Sequence, residues 1–286
     1  MRIIVCIKEV GHIYYPIAID ASTQHIDKEK MVWMLNPYDE IAVEEAVRIK
    51  ENLNNCEIII ITVGPPRVEK ALRYSFAFGA DKMLRINYKS SDPWSTALVL
   101  AKVIEPLKYD LLLCGKKAID NNGRQVGSFI ADLLNIPQVS GIVKLELVSG
   151  TSKRAIAERY LGKGDRQVVE CSLPAMFTVE IGLNDPRYPS LRNRLIAEKE
   201  EIQVIDISSL ELQFDRVADL TTHMNFSPRR PKPKKVFTPD SNLSADERMK
   251  LIMSGGNVDK KSDLLENGPE DLAKELSKFL VQHKIV

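Results

Sequence analysis

The 286-residue chain has little of what most enzyme chemistry relies on. Cysteine and histidine are scarce, with four of each. Cys6, Cys56, Cys114 and Cys171 are far apart and make no CxxC pair, which argues against a disulfide framework and against a thiolate metal site. Reduced thiols of this kind fit a cytoplasmic protein. His12, His25, His223 and His283 form no HExxH or HxH pattern that would hold zinc. No GxGxxG follows the first apolar run and no GxxxxGK[ST] occurs, so neither the dinucleotide fingerprint nor the phosphate-binding P-loop is present. There is no GxSxG, and no cysteine has a histidine near it in sequence. A one-signed charge is missing too. Lys plus Arg number 40 against 39 Asp plus Glu, a net charge of +1, so no global field steers the chain to nucleic acid or anionic lipid. Apolar runs such as Glu57–Thr62 are of strand length and far too short to span a bilayer, so no direct membrane insertion is expected. The chain opens Met-Arg-Ile-Ile-Val-Cys-Ile, directly in a strand pattern, and no signal or transit segment is expected.

What is present is a soluble globular composition, 44% hydrophobic and 28% charged, ample for a sizeable core. Residues 2–8 read as a strand buried on both faces. A loop of about 28 residues follows, long enough to suggest function. Asn36-Pro37-Tyr38-Asp39 opens a helix, with Asn36 as N-cap and Pro37 at the first helical position. Its apolar stripe is Ala42, Ala46, Ile49 and Leu53. Glu44, Glu45, Arg48 and Glu51 are expected to face solvent. Further strands are predicted at Glu57–Val63, Lys82–Asn87 and Tyr109–Cys114. Helices alternate with them: one carrying Val68, Leu72 and Phe76, one from Asp92-Pro93 through Ile104, and one carrying Val126, Phe129, Ile130 and Leu133. This alternation predicts an α/β fold with a doubly wound, mainly parallel sheet. Ser140–Val148, Lys153–Glu158 and Arg166–Cys171, with a Gly162–Gly164 turn, predict a small antiparallel extension. Leu173–Ile181 reads as a last apolar strand. Composition changes near residue 210. We therefore expect a nucleotide-binding α/β domain at 1–210 and a C-terminal arm at 211–286. The arm holds a Pro/basic linker (Ser227–Pro239) and a terminal amphipathic helix at Asp271–His283 that needs a partner subunit to dock on.

In such a sheet, ligands bind beyond the carboxyl ends of the strands, near the point where strand order reverses. The loops expected there follow Cys6, Val63-Gly64 and Gly115, together with Asn36–Asp39. Helix N-termini follow these loops and favour an anion, and Asp120, Asn121, Asn122 and Gly123 are suited to a backbone nest for phosphate. A plain polar turn capping a helix explains Asp120–Gly123 equally well. Paired carboxylates such as Glu44-Glu45 and Glu200-Glu201 read as solvated helix faces.

Several stretches then become specific together. Gly115-Lys-Lys-Ala-Ile-Asp-Asn-Asn-Gly-Arg-Gln-Val-Gly resembles the adenine-nucleotide loop of the electron transfer flavoprotein beta subunit. So does Asn36-Pro-Tyr-Asp-Glu-Ile-Ala-Val-Glu-Glu-Ala on the first helix. Leu183-Asn-Asp-Pro-Arg-Tyr-Pro-Ser-Leu is similar to that family's partner-recognition loop, and Val63-Gly-Pro-Pro and Val-Cys-Ile-Lys-Glu-Val also fit. The resemblance covers about residues 1–210. It implies a heterodimer with an alpha subunit, a redox-active FAD between the subunits and held mainly by alpha, and an adenine nucleotide in this chain. Electrons would come from donor dehydrogenases and leave to a quinone reductase or a similar acceptor. The implied nucleotide site is Cys6, Asn36, Pro37, Tyr38, Asp39, Val63, Gly64, Gly115, Lys116, Lys117, Ala118, Ile119, Asp120, Asn121, Asn122, Gly123, Arg124, Gln125 and Val126. Arg124 is a candidate extra phosphate contact. The implied recognition loop offers Asn184, Pro186, Arg187, Tyr188 and the apolar anchor Leu191, and Tyr14 or Tyr38 is a candidate to approach the flavin. Electron-bifurcating members carry a second FAD in place of AMP, usually with Val-Pro-Asp-Thr after the first strand and Gly-Asp-Thr in the loop. Here Val10-Gly-His-Ile and Asn121-Asn-Gly-Arg124 stand instead, which favours AMP. The reading from another class is a stand-alone adenine-nucleotide-binding sensor of stress-protein type. No nucleic-acid partner is expected, because the basic stretch Arg229–Lys235 has little aromatic interleaving.

Overall fold

The computed structural model describes all residues except 13, 14, 16, 17, 21–25, 54, 90, 91, 149–152, 211–238, 254–267 and 283–286. Tyr14, His25, His223, His283 and the basic stretch Arg229–Lys235 lie outside the described residues. The chain divides into two units, Met1–Pro228 and Arg229–Val286.

The first unit is built on strands β1 (Arg2–Cys6), β4 (Glu57–Val63), β5 (Lys82–Asn87), β6 (Leu111–Gly115) and β10 (Ala175–Val179), all parallel to their neighbours. Their sequences are near-continuous apolar runs because both faces are covered, and alternate residues point to opposite layers. Ile3, Val5, Ile58, Ile60, Leu111, Leu113 and Phe177 pack on one face with α1 (Pro37–Asn52) and α2 (Glu69–Phe76). Ile4, Ile59, Ile61, Leu84, Leu112 and Met176 pack on the other with α3 (Pro93–Ile104) and α4 (Val126–Leu133).

The antiparallel extension is β7 (Gln138–Val148), β8 (Arg154–Gly162) and β9 (Asp165–Ser172). The nine-stranded order is β11-β5-β4-β1-β6-β10-β7-β8-β9, so β10 lies between the parallel core and the hairpin strands, pairing parallel with β7. It is not the last strand of the sheet. After it come α5 (Leu191–Lys199), capped by the Ser190 hydroxyl accepting from the Asn193 N–H at 3.2 Å, and β11 (Ile202–Asp206), which pairs parallel with β5 at the far edge. The long stretch after β1 is partly structured. β2 (Glu9–Gly11) pairs antiparallel with β3 (Trp33–Leu35), and Arg67 stacks its guanidinium 3.4 Å from the Trp33 ring centre while donating to Glu9 at 2.6 Å.

The second unit contains α6 (Ala245–Met253) and α7 (Pro269–Gln282). α6 opens with a capping box: Ser244 N–H donates to the Glu247 carboxylate at 3.0 Å and the Glu247 N–H donates back to the Ser244 hydroxyl at 3.4 Å. α7 covers the predicted terminal helix to within two residues at its start.

Candidate functional site

The sheet order reverses at β1. From β1 the chain builds outward through β4 and β5 on one side, then returns to place β6 on the other. The crevice beyond the carboxyl ends of β1 and β6 is therefore the expected ligand position, and the first turn of α1 sits over it. Asp39 is almost wholly buried there. One of its carboxylate oxygens accepts the Gly115 N–H at 2.7 Å and the other accepts the Lys8 N–H at 2.8 Å. A single side chain thus ties together the ends of the two strands that flank the reversal. Burial pushes the Asp39 carboxyl up to about 7, and the N–H bonds from Gly115 and Lys8 pull the other way.

Asn36 ties the same regions one turn earlier. It occupies the N-cap position as expected, but its side chain makes no cap bond. Instead its amide donates to the Lys117 carbonyl at 2.9 Å and its oxygen accepts the Ile119 N–H at 3.3 Å. Its own N–H donates to the Lys8 carbonyl at 3.0 Å. Gly115 is required by space: an added Cβ would lie 2.5 Å from Asp39 Oδ1 and 2.6 Å from Tyr38 Cβ. The Tyr38 ring is buried, with the Lys117 ammonium 5.3 Å from its centre.

The Cys6 thiol is buried, and burial, helped by the Asp39 charge, pushes it up to about 12. Cys6 pairs in register with Cys114 on β6, whose thiol is raised well above its ordinary value by burial. Both are inert walls of the site. Pro37 is the first residue of α1, and Val63 ends β4. Gly64 donates its N–H to the Ile86 carbonyl at 3.0 Å and accepts from buried Arg85 at 3.1 Å. Lys116 pairs with Glu180 at 2.6 Å, and Lys8 pairs with Asp120 at 2.6 Å. Ala118 accepts the Asn122 N–H at 2.8 Å, closing a turn. Asn121, Asn122, Gly123, Arg124 and Gln125 form an exposed rim, with the Gly123 N–H bonded to the Asn121 side chain at 3.1 Å. Asn122 and Arg124 adopt left-handed backbone, at φ 52° and 58°. Such conformations cost about 1 kcal/mol or more in non-glycine residues and recur where a loop is shaped for a ligand. Val126 begins α4, whose N-cap residue Gln125 supplies no side-chain cap.

The donor set suits a phosphate. It combines an α4 N-terminus without side-chain cap, loop amides turned by alternating backbone hands, and the cations Lys117 and Arg124 nearby in the chain, while Lys8 and Lys116 are held by Asp120 and Glu180. Asn36, Asp39, Lys8, Gly115, Lys117 and Ile119 are joined directly, whereas Val63 and Gly64 belong to the neighbouring strand end. Lys8 was not singled out by sequence alone, although it lies within the quoted Val-Cys-Ile-Lys-Glu-Val.

The stretch 184–191 is not at this crevice. It hangs on the flank of α1. Asn184 donates to the Ile41 carbonyl at 3.1 Å and to Glu45 at 2.9 Å. Arg187 donates to both oxygens of Glu44 and to Glu51. Glu44 and Glu45 are buried, at 4% and 7% exposure. The expectation that they face solvent is therefore wrong, because the chain 140 residues further on covers them. Burial raises the Glu45 carboxyl, with the Asn184 bond opposing. Arg187 holds Glu51 below its ordinary range. Pro186 is half-buried, and Tyr188 and Leu191 project at 95% and 73% exposure. Leu191 is the first residue of α5, and it lines an open groove of about 560 Å³ with Arg192, Leu195, Ile196 and Lys199.

Comparison with known proteins identifies the family. The family described as Electron transfer flavoprotein domain matches residues 24–210. Electron transfer flavoprotein subunit beta of Bacillus subtilis (strain 168) is 35% identical over 241 residues, 82% of this chain and 92% of its own length. The subunit of the same name from Mus musculus is 34% identical, over 73% of this chain and 83% of its own. Caffeyl-CoA reductase-Etf complex subunit CarD of Acetobacterium woodii is 36% identical, over 71% of this chain and 78% of its own. With a family match that includes the first helix, the 115–126 segment and the 184–191 loop, and with these relatives covering most of its length, the chain belongs to the electron transfer flavoprotein family, as a beta subunit.

Proposed function

We propose that this chain pairs with an electron transfer flavoprotein alpha subunit and holds AMP in the crevice beyond β1 and β6. A FAD shared with alpha, and held mainly there, supplies the redox chemistry, taking electrons from a donor dehydrogenase and giving them to a quinone reductase or similar acceptor. The observation that carries the reading is the junction of Asn36, Asp39, Lys8 and Gly115–Ile119 at the reversal point, all but Lys8 within the residues that match the family. Amides of 120–126 other than those of Asn122 and Gly123, which are bonded within the loop, would hold the phosphate, with Arg124 and the α4 N-terminus supplying positive charge. Residues 184–191 would meet the dehydrogenase, with Leu191 as anchor, and residues 211–286 would form the arm that docks on alpha. This chain would bring no acid, base or nucleophile of its own; it positions cofactors. Four free cysteines fit a cytoplasmic setting, and no helix among the described residues is long and apolar enough to cross a membrane.

A second reading places a FAD in the same crevice, within an assembly that includes a bound reductase. The relative named as a subunit of a caffeyl-CoA reductase-Etf complex favours it. The changed residues Val10-Gly-His-Ile and Asn121–Arg124 favour AMP. The family assignment displaces the stress-type sensor reading. The proposal is tested by co-expression with an electron transfer flavoprotein alpha subunit from the same organism. A yellow heterodimer that a dehydrogenase reduces supports it. A colourless chain that assembles only with itself overturns it.

A further inference from the structure

Arg187 lies in the stretch taken above as the recognition loop, yet each nitrogen of its guanidinium is already bonded within the chain. Its Nε lies 2.9 and 3.1 Å from the two oxygens of Glu44. Its Nη2 reaches Glu44 at 2.8 Å and Glu51 at 2.9 Å, and its Nη1 is also bonded to Glu51. Its backbone N–H adds a bond to Glu44 at 3.2 Å. Each donor nitrogen of the fork is thus engaged by one or both of two carboxylates about two helical turns apart on α1. A planar fork spread over two carboxylates fixes direction as well as distance, which a lysine ammonium does not. Glu44 is buried while Arg187 is partly exposed, so this pair is screened less than a surface ion pair, whereas the Glu51 pair is exposed.

The neighbouring residues have the opposite character. Tyr188, next in the chain, is almost fully exposed, and Leu191 four residues on is exposed as well. The segment between β10 and α5 has no ladder bonds of its own. It is fastened at Asn184 to Ile41 and Glu45, at Arg187 to Glu44 and Glu51, and at Asn193 to the Ala77 carbonyl at 3.2 Å. Between the last two fastenings stand the two exposed apolar side chains.

We propose that Arg187 is a positioning residue for docking: clamped on Glu44 and Glu51, it holds the 184–191 loop in one conformation so that Tyr188 and Leu191 are presented to the partner dehydrogenase already ordered. This rests on the reading of 184–191 as the recognition loop. Ordering the loop in advance removes an entropic cost from association, so the clamp acts on affinity for the partner and not on the flavin.

The test uses the alpha–beta heterodimer and the dehydrogenase that reduces the wild type. Arg187→Gln should raise the KM for that dehydrogenase about tenfold, with kcat changed less than about twofold. FAD and AMP content should not change, and amide hydrogen exchange should quicken in 182–190 but not in 115–126. Arg187→Lys should recover part of the KM. Arg187→Gln combined with Glu44→Gln should cost no more than Arg187→Gln alone. Glu51→Gln, at an exposed position, should raise KM about two- to threefold and serves if the other variants fail to fold. A KM that stays at the wild-type value in Arg187→Gln and Glu51→Gln, while Leu191→Ala raises it, overturns the clamp and leaves the recognition loop standing. A KM that Leu191→Ala also leaves unchanged overturns the recognition-loop reading and the clamp with it.

Discussion

Asp39 and Gly115 show how much rests on single atoms. Replacing Gly115 by Ala puts a methyl group 2.5 Å from Asp39 Oδ1 and 2.6 Å from Tyr38 Cβ, both carried by a packed helix. Overpacking of this kind costs about 1–3 kcal/mol. Thermal unfolding should report that loss, and release of the proposed nucleotide should quicken with it. Asp39 gives a pH signature. Its carboxyl sits at about 7 in the folded chain against an ordinary value of 3.8. Between about pH 4 and 7 the folded chain therefore keeps a proton that the unfolded chain has lost, so the Asp39 contribution to stability falls as pH rises through that window and is level above 7. The ties to Lys8 and Gly115 run the other way, since both oxygens accept most strongly when the group is ionised. Nucleotide retention should thus weaken as pH falls below 7 while this contribution to stability grows. Asp39→Asn should flatten both dependences relative to wild type, measured by nucleotide release and by melting temperature across the same pH range. A variant that keeps the wild-type pH profile would show that Asp39 is not the titrating group.

At the scale of elements, α1 organises the molecule. Its first turn holds the strand ends and the 115–119 segment through Asn36 and Asp39, and its outer flank holds the 184–187 loop through Glu44, Glu45 and Glu51. Asn36→Ala would strip a partner from the Lys117 carbonyl and from the Ile119 N–H. The expected cost is about 1–3 kcal/mol in denaturant unfolding, with hydrogen exchange raised in 115–126 and unaltered in 184–190. The parallel strands and the helices between them could be read in advance, because continuous apolar runs and a 3.6-residue stripe are local signals. The burial of Glu44 could not, because its partner Arg187 is 143 residues away and no periodicity carries that information. α5 was missed for a related reason: Leu191, Leu195 and Ile196 lie outward, so the helix has no buried stripe to detect. β10 was recognised as a strand but taken as the last in the chain, because β11 is a short edge strand that is largely exposed and lacks a continuous apolar run. The candidate loops after Cys6, Val63 and Gly115, with Asn36–Asp39, could be placed from the strand–helix alternation; their reading as an adenine-nucleotide site came from resemblance, and the Asn36 and Asp39 ties could be seen only in three dimensions.

For the whole molecule, the central claim is one of assembly: a beta subunit that holds a structural nucleotide while the redox flavin lies against alpha. The measurement that tests the claim most directly is a nucleotide count. The heterdimer formed with the alpha-type protein is purified and denatured, and released FAD and AMP are quantified against protein. One FAD and one AMP per heterodimer is the predicted result. Two FAD and no AMP would contradict it and assign the crevice beyond β1 and β6 to a second flavin.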